Sequence, residues 1–176
     1  NKRLKIKNDF YKSYFLNKEF KLPFIDAKLA LSKDFYTIDL KNKWITNSRS
    51  RKVGHFIRSK YDCIISTSRS INKDNALLNC RLKGFEDNKP DLFIIDLGLK
   101  LKKKLKLIKF AQKRKTYLIT SSSNNNKIKF LKKNKIKIVF INKLESKNDF
   151  IKLFEKILNL GYGRILVESG FTFLKK

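Results

Sequence analysis

Two acidic residues stand where an α/β protein places its ligand-binding groups. Glu168 follows the short apolar segment 164–167 and precedes a Ser-Gly turn, and Asp96 ends the apolar run Leu-Phe-Ile-Ile. In open α/β sheets, ligands bind beyond the carboxyl ends of the strands, and a helix N-terminus after a glycine turn offers free N–H groups to a phosphate. We predict that Glu168 faces a ligand, and for Asp96 we favour a helix-capping role.

Two arginines are informative because arginine is rare in this chain. It accounts for 8 of the 43 basic residues, among them Arg58 at the end of a predicted helix and Arg81 after the segment 74–78. A guanidinium binds phosphate through a planar fork of donors that lysine cannot present. For each of these two side chains, phosphate binding and an ordinary surface position both remain open.

The net charge of +28 could indicate a polyanionic partner. However, lysines occur on nearly every segment, together with abundant asparagine, isoleucine and phenylalanine, as AT-rich codons would give. We therefore favour a compositional bias over a dedicated nucleic-acid surface and do not expect nucleic acid as a partner. A basic nucleic-acid-binding domain without catalysis is kept as the alternative.

The sequence lacks the motifs of several other function classes. No P-loop, G-x-G-x-x-G or G-x-S-x-G pattern occurs, and Cys63 and Cys80 have neither metal-ligand nor disulfide-scaffold spacing. His55, the only histidine, has no acid or nucleophile partner nearby in the sequence, which favours a structural role over a catalytic one. Trp44, the only tryptophan, belongs either to the core or to a ring-stacking site. No apolar run approaches the ~20 residues that span a bilayer, so we expect a cytoplasmic protein with no membrane anchor. Because the cysteines lack metal-ligand spacing, we also expect no bound metal.

Apolar segments alternate with amphipathic segments along most of the chain. This alternation predicts an α/β fold with a mostly parallel sheet flanked by helices. The lysine-rich stretch 100–115 is expected to form a solvated loop or helix face. The predicted strands span residues 24–31, 61–66, 91–96, 116–120, 136–141 and 164–168, and the main predicted helices span 48–60, 126–133 and 148–160.

The first predicted helix carries its own start signal and an apolar face. Thr46 or Asn47 can cap its N-terminus. Val53, Phe56 and Ile57 lie on one side at helical spacing, which predicts that this side is buried.

Six motifs occur in the order found in a known enzyme family. They are PFIDAKLALSKD (23–34), KWIT (43–46), FIR (56–58), INKDNALLNCR (71–81), FIID (93–96) and VESGFT (167–172). From about residue 20 to the end, the chain resembles the reductase domain of the bifunctional riboflavin-biosynthesis deaminase/reductase. This resemblance implies a dihydrofolate-reductase-like α/β fold. It also implies NADPH-dependent reduction of 5-amino-6-(5-phosphoribosylamino)uracil to 5-amino-6-(5-phosphoribitylamino)uracil, a phosphorylated pyrimidine.

The resemblance further implies roles for individual residues. Lys28 and Glu168 would contact the ribosyl group and serve as the catalytic candidates. The implied substrate-binding residues are Asn42, Arg58, Leu78, Arg81 and Glu168, with the two arginines on the phosphate. The implied cofactor-binding residues are Ala30, Trp44, Ser70, Asp74, Leu97, Gly170, Phe171 and Thr172, of which the last three would meet the pyrophosphate of NADPH.

The resemblance also divides the chain. The H-x-E and P-C-x-x-C motifs of the zinc deaminases do not occur, so residues 1–22 are interpreted as a connector from a missing N-terminal deaminase domain. Residues 23–176 are interpreted as a reductase domain that is truncated at its C-terminus, because the family's domain continues with further strands. We therefore expect the strand before Glu168 to lack a neighbour, and we expect a homodimer in the full-length protein. A decayed reductase that keeps only the fold is a further alternative.

Overall fold

All six strands of the described chain lie in one parallel sheet. The structure, a computed structural model, describes residues 9–36, 45–85 and 90–175. The strand order is β1-β6-β2-β3-β4-β5, and every neighbouring pair is parallel. The strands are β1 Phe24–Ala27, β2 Cys63–Thr67, β3 Asp91–Ile95, β4 Thr116–Thr120, β5 Ile136–Phe140 and β6 Arg164–Val167. The helices are α1 Asp9–Phe20, α2 Ser48–Arg58, α3 Ser68–Asp74, α4 Lys106–Phe110, α5 Asn125–Lys133, α6 Lys147–Asn159 and α7 Phe171–Leu174.

The last strand is inserted between two strands from the first half of the chain. In the register, Ile165 of β6 lies opposite Ile25 of β1 on one side and Cys63 of β2 on the other. The expectation that this strand lacks a neighbour is therefore wrong, because β6 has a hydrogen-bonded partner on both edges. As a result, Glu168 emerges inside the sheet rather than at its margin.

The first strand is shorter than predicted. It ends at Ala27 rather than at residue 31. The last backbone hydrogen bond that continues its pairing with β6 is the one from Lys28 N to Val167 O. Lys28 and Ala30 therefore lie in the loop beyond the carboxyl end of β1, which is the edge where ligands bind in such sheets.

Apolar side chains cover both faces of the sheet, as expected for parallel strands. Along β2, Ile64 points to the core beneath α3, α4 and α5, whereas Cys63 and Ile65 point to the core beneath α6. All three side chains are fully buried. Cys63 is thus a small core residue.

The lysine-rich stretch 100–115 is a layer of the core rather than a solvated segment. Its lysines are exposed, but the apolar residues between them are buried against β2, β3 and β4. The prediction of a solvated loop or helix face is wrong because the leucines, spaced among the lysines, supply one continuous apolar side. The buried members are Leu101, Leu105, Leu107, Ile108 and Ala111.

Helix α2 begins as predicted but buries only part of the predicted side. Asn47 is its N-cap and accepts a hydrogen bond of 2.8 Å from the backbone N–H of Ser50. Val53 and Phe56, predicted to be buried, are 50% and 40% exposed, whereas Gly54 is buried. Ile57, the third apolar residue of the predicted face, is partly buried against the core, so the prediction is right for this residue and wrong for the other two.

Residues 9–20 form a helix where the sequence offered no regular pattern. Helix α1 contacts β1, and Ser13 is buried and accepts a hydrogen bond from Arg164 Nη1 at 3.2 Å. The division into a connector and a reductase domain stays a prediction. Among the helices that the structure describes, none is both long and apolar enough to cross a membrane.

Candidate functional site

Three elements bring Lys28, Arg58 and Glu168 together at the carboxyl edge of the sheet. Lys28 follows β1, Glu168 follows β6, and Arg58 is the last residue of α2. The backbone N–H of Glu168 donates to Ile65 O at 2.9 Å, so the sheet ladder fixes the point from which its side chain leaves. Lys28 and Glu168, which are far apart in sequence, thus meet because β1 and β6 are neighbours in the sheet.

Arg58 and Glu168 form a bidentate ion pair. Arg58 Nε donates to Glu168 Oε1 at 2.5 Å, and Arg58 Nη2 donates to Oε2 at 2.8 Å. The side chains are only 15% and 8% exposed, respectively. Parallel hydrogen bonds between a guanidinium and a carboxylate restrict both groups to one geometry. Glu168 is therefore held in a fixed orientation by a protein side chain.

Lys28 completes this group more loosely. Its Nζ lies 3.8 Å from Glu168 Oε2, and its side chain is 31% exposed. This distance allows electrostatic attraction but exceeds that of a hydrogen bond. The ammonium therefore stays beside the carboxylate with donors available to a ligand. Ser66 supports the same point of the chain, because its hydroxyl donates to the backbone carbonyl of Glu168 at 2.6 Å.

His55 joins Arg81 to this group. His55 Nε2 lies 3.2 Å from Arg81 Nη2, and His55 Nδ1 lies 2.9 Å from the carbonyl oxygen of Asn79. Arg58 Nη1 donates to the same carbonyl at 3.2 Å. Reasoning from the sequence missed His55. The available signal was its position three residues before Arg58 on one helix, which puts both side chains on one face.

The loop that carries Leu78 and Arg81 has an unusual backbone. Asn75 and Leu78 have φ angles of 47° and 50°, in the left-handed region that is unfavourable for residues with a side chain. Such backbone persists only where its surroundings hold it in place. The carbonyl of Asn79 is held by Arg58 and His55, as described above, and Arg114 holds the preceding residues.

Arg114 is a buried arginine, 9% exposed, whose hydrogen bonds go to backbone carbonyls. Its Nη1 donates to Leu78 O at 2.6 Å and to Pro90 O at 3.1 Å, and its Nη2 donates to Leu77 O. Burial lowers the pKa of Arg114 to about 10, so the guanidinium is charged at neutral pH. The one signal for this residue in the sequence was its rarity as an arginine within a lysine-rich stretch.

An open groove of about 460 Å³ lies beside Arg81. Its walls include the cations Arg81, Lys83 and Lys113, together with Phe110 and Asn79. The side-chain oxygen of Asn79 is buried and has no hydrogen-bond partner. The groove therefore combines positive charge with an unsatisfied polar atom, which suits an anionic ligand that also offers a donor.

Of the residues implied for the cofactor, Ala30, Ser70 and Leu97 lie beyond the ends of strands, at the same edge of the sheet as the Lys28–Arg58–Glu168 group. Among the described residues, no hydrogen bond or ion pair links the two sets. Ala30 follows β1, Leu97 follows β3, and Ser70 lies in the first turn of α3 with its Oγ 3.1 Å from Thr67 Oγ1. Asp74 is exposed at the end of α3. Asn42 and Trp44 fall outside the described residues, and the roles of all these residues stay predictions.

The turn after Glu168 has features of a ligand-binding turn. Gly170 precedes α7, no side chain caps that helix, and a Cβ at Gly170 would meet nothing within 4 Å. Phe171 and Thr172 begin α7 and are exposed. Ser169 is buried, and its hydroxyl has no hydrogen-bond partner. An open backbone next to an orphaned hydroxyl fits a bound polar group, such as a phosphate of a dinucleotide.

Asp96 does not belong to this site. Its Oδ1 accepts hydrogen bonds from Ser68 Oγ at 2.8 Å and from Lys100 N at 2.7 Å, and its Oδ2 accepts from Leu101 N at 2.7 Å. The favoured helix-capping role is wrong, because the N–H groups that Asp96 binds belong to a loop rather than to a helix. Within the described ranges, no group of three or more His, Cys, Asp or Glu side chains could hold a metal ion.

Comparison with known proteins gives concordant matches. The RibD C-terminal domain family matches residues 23–176. The riboflavin biosynthesis protein RibD of Buchnera aphidicola subsp. Baizongia pistaciae is 32% identical over 174 residues, covering 90% of this chain and 45% of that protein. The chain therefore spans less than half the length of this curated relative.

Two solved structures share the fold. RibD of Acinetobacter baumannii superposes with a TM-score of 0.76 at 18% identity, covering 94% of this chain and 44% of that one. A diaminohydroxyphosphoribosylaminopyrimidine deaminase/5-amino-6-(5-phosphoribosylamino)uracil reductase from Thermotoga maritima superposes with a TM-score of 0.68 at 22% identity, covering 90% and 42%. The α/β fold with a parallel sheet flanked by helices is therefore that of the RibD reductase domains.

Proposed function

Because this chain belongs to the RibD C-terminal domain family, we propose that it reduces 5-amino-6-(5-phosphoribosylamino)uracil to the ribitylamino compound with NADPH, in riboflavin biosynthesis. The Thermotoga maritima structure is named for the reduction of this compound. One observation carries the proposal: Lys28, Arg58 and Glu168 meet at the carboxyl edge of the sheet, and His55 connects them to Arg81. A nucleic-acid-binding domain would not require such a convergence.

Arg81 is our candidate for binding the substrate phosphate. It is exposed and lines the groove next to Lys83 and Lys113, so a dianionic phosphate would meet several cations there. Arg58 was predicted to share this role. Its donors contact Glu168 and Asn79, and we propose that it mainly orients Glu168. Leu78 would line the same pocket, since it precedes the Asn79 carbonyl that Arg58 and His55 hold.

Lys28 and Glu168 are our candidates for proton handling at the ribosyl group. When bound, NADPH supplies a hydride to C1 of the opened, imine-like ribosyl group, and the adjacent nitrogen takes a proton. Lys28 is suited to deliver that proton because its ammonium is exposed and is not consumed by a hydrogen bond to Glu168. Glu168 keeps lone pairs for the ribosyl hydroxyls and attracts the Lys28 ammonium, 3.8 Å away, toward them.

The turn 168–172 is compatible with the cofactor. The buried hydroxyl of Ser169 lacks a partner, and the open Gly170 lets a ligand approach the backbone. We propose that Gly170, Phe171 and Thr172 contact the pyrophosphate of NADPH, and that Ala30, Trp44, Ser70, Asp74 and Leu97 contact the rest of the cofactor.

The proposal is tested by following NADPH absorbance with purified protein and 5-amino-6-(5-phosphoribosylamino)uracil, with the product identified by mass spectrometry. We expect NADPH consumption only when the substrate is present. The dephosphorylated substrate should show a KM raised by about a hundredfold, because the phosphate contacts are lost. A folded protein that consumes no NADPH would contradict the proposal and favour a decayed reductase. Replacing NADPH by NADH in the same assay gives the cofactor preference.

A substitution in α2 tests the placement of Lys28. A Cβ at Gly54 would lie 3.9 Å from both Lys28 Cε and Nζ, which is ordinary van der Waals contact. We expect Gly54→Ala to keep turnover and to stabilise the helix by up to about 1 kcal/mol. Gly54→Leu should displace the ammonium from Glu168 and lower kcat at least about tenfold. Equal kcat in the two variants would show that Lys28 does not act from this position.

Two further expectations concern the whole protein. We expect a homodimer, which light scattering of the purified protein measures directly, and a cytoplasmic location. The first rests on the family resemblance, and the second rests on the sequence.

A further inference from the structure

His55 lies between the two arginines of the site. Arg58 is on the same helix, and Arg81 is in the loop after α3. The imidazole touches Asn79 O through Nδ1 at 2.9 Å and Arg81 Nη2 through Nε2 at 3.2 Å. Nδ1 also lies 3.4 Å from Arg58 Nη1, which itself donates to the same carbonyl at 3.2 Å. The nearest polar neighbour of Nδ1 is therefore Asn79 O, and that of Nε2 is Arg81 Nη2.

These two contacts select one form of the ring. A carbonyl oxygen can only accept a hydrogen bond, so the nitrogen next to Asn79 O must carry a proton. An arginine can only donate, so the nitrogen next to Arg81 must offer a lone pair. Both conditions hold together only for a neutral imidazole with its proton on Nδ1. A charged imidazolium would satisfy the first contact and lose the second.

We propose that neutral His55 is a positioning residue that fixes the guanidinium of Arg81 for binding the substrate's phosphate. The identity of the phosphorylated substrate rests on the proposed function, but the contacts that define the device do not. Arg81 is exposed and has a long, flexible side chain. An acceptor that holds its Nη2 restricts this side chain before phosphate binds, and so it reduces the conformational entropy that is lost on binding. His55 thus contributes to substrate affinity without touching the reacting atoms.

The device is sensitive to pH because its environment disfavours the imidazolium. Burial, followed by the charge of Arg58, lowers the pKa of His55 below 6.5; Arg81 lowers it further, whereas the Asn79 carbonyl and Glu168 raise it. When the ring takes up a proton, Arg81 loses its acceptor and faces a like charge. Because the pKa is lower in the folded state, this group favours folding above its ordinary pKa, and that contribution is lost as the pH falls through the folded pKa.

The protonation state can be measured without enzyme activity. His55 is the only histidine, so its ring nitrogens give one set of signals in a long-range proton–nitrogen NMR spectrum. At about pH 7.5 we expect a neutral ring with its proton on Nδ1. Arg81→Met should raise the pKa of the ring, because a positive charge beside Nε2 is removed. A proton on Nε2, or a pKa that Arg81→Met leaves unchanged, overturns the proposal.

Two substitutions separate the acceptor from the rest of the ring. His55→Gln can place an amide oxygen near the position of Nε2, and that oxygen accepts at every pH. His55→Leu has similar bulk and no acceptor. At about pH 7.5 we expect His55→Leu to raise the KM for the ribosylaminouracil phosphate about tenfold, with the KM for NADPH and kcat within about twofold of the starting values. His55→Gln should keep the original KM, and a KM for His55→Leu that equals the original value overturns the proposal.

The substrate affinity of the original protein and that of His55→Gln are also compared at acid pH. Between about pH 7.5 and a lower pH at which the NMR titration shows the ring of His55 to be charged, the substrate phosphate also takes up a proton, which weakens binding to every variant. The original protein should lose more affinity over this range than His55→Gln, because only the imidazole becomes charged. Equal losses in the two proteins overturn the proposal.

Binding of ribose 5-phosphate, measured by calorimetry, distinguishes this proposal from the proposed function. If the original protein shows no turnover but binds ribose 5-phosphate more tightly than His55→Leu does, the reductase function fails and the role of His55 stands. If turnover occurs but ribose 5-phosphate binds equally to both proteins, including no measurable binding to either, the role of His55 fails and the reductase function stands.

Discussion

Glu168→Gln is expected to lower kcat/KM for the reduction by about a hundredfold or more. The carboxylate makes two hydrogen bonds to Arg58 and lies 3.8 Å from Lys28 Nζ. A neutral amide keeps the shape of the side chain but leaves both cations without their counter-charge. We also expect the free energy of unfolding to fall by about 2–3 kcal/mol, because charged hydrogen bonds in a largely buried pair are replaced.

Glu155 provides the matched control for this prediction. It is an exposed acid on α6, and Glu155→Gln should change the free energy of unfolding by less than about 0.5 kcal/mol and leave kcat/KM unchanged. Urea unfolding and the NADPH assay measure both quantities on the same samples. A Glu168→Gln protein with the original kcat/KM would remove Glu168 from the proposed mechanism.

Arg114→Met is expected to destabilise the protein by about 3 kcal/mol. The buried guanidinium donates to the carbonyls of Leu77, Leu78 and Pro90, and methionine fills similar space without a donor. Three carbonyls then lose a partner, and the left-handed backbone at Leu78 loses its main support. Arg114→Lys should not restore the stability, because an ammonium cannot present the same planar set of donors.

Lys113 offers the control, since it is exposed and adjacent in sequence. Lys113→Met should shift the free energy of unfolding by no more than about 0.5 kcal/mol in the same urea titration. Hydrogen exchange should also show faster exchange of the amides at 77–79 in Arg114→Met than in Lys113→Met. An unchanged stability of Arg114→Met would mean that the loop holds its conformation without the buried guanidinium.

Local sequence patterns predicted most of the elements. The apolar runs of β2 to β6 are bounded by polar or glycine-containing segments, and β4, Thr116–Thr120, agrees at both ends. Helix α6, predicted at 148–160, is found at Lys147–Asn159. Burial on both faces explains this success, since each buried parallel strand must read as a continuous apolar run.

Long-range placement could not be predicted in the same way. No local pattern shows that β6 inserts between β1 and β2, and so the neighbours of Glu168 were misjudged. The apolar side of 100–115 was hidden by its lysines, whose charges are solvated while the leucines between them are buried. Local periodicity correctly predicted α2 as a helix but misassigned part of its buried face, because this helix turns Gly54 inward toward the ligand-binding edge.

The candidate site was predicted in part. The resemblance brought Lys28, Arg58 and Glu168 forward, and they lie in contact. Arg114 was missed because its partners are backbone carbonyls, which every residue has and which leave no trace in a sequence motif. His55 was missed because its partners, the Asn79 carbonyl and Arg81, come from a loop that is distant in sequence. Their assignment required the loop conformation at residues 75–79.

Transfer of deuterium from NADPH in which both hydrogens at C4 of the nicotinamide are deuterium tests the central claim most directly. The protein is incubated with the labelled cofactor and 5-amino-6-(5-phosphoribosylamino)uracil, and the product is fragmented in a mass spectrometer. We predict a ribitylamino product that carries one deuterium at C1 of its ribityl chain. A folded protein that forms no labelled product, or that places the label elsewhere, would contradict the assignment of this chain as the reductase.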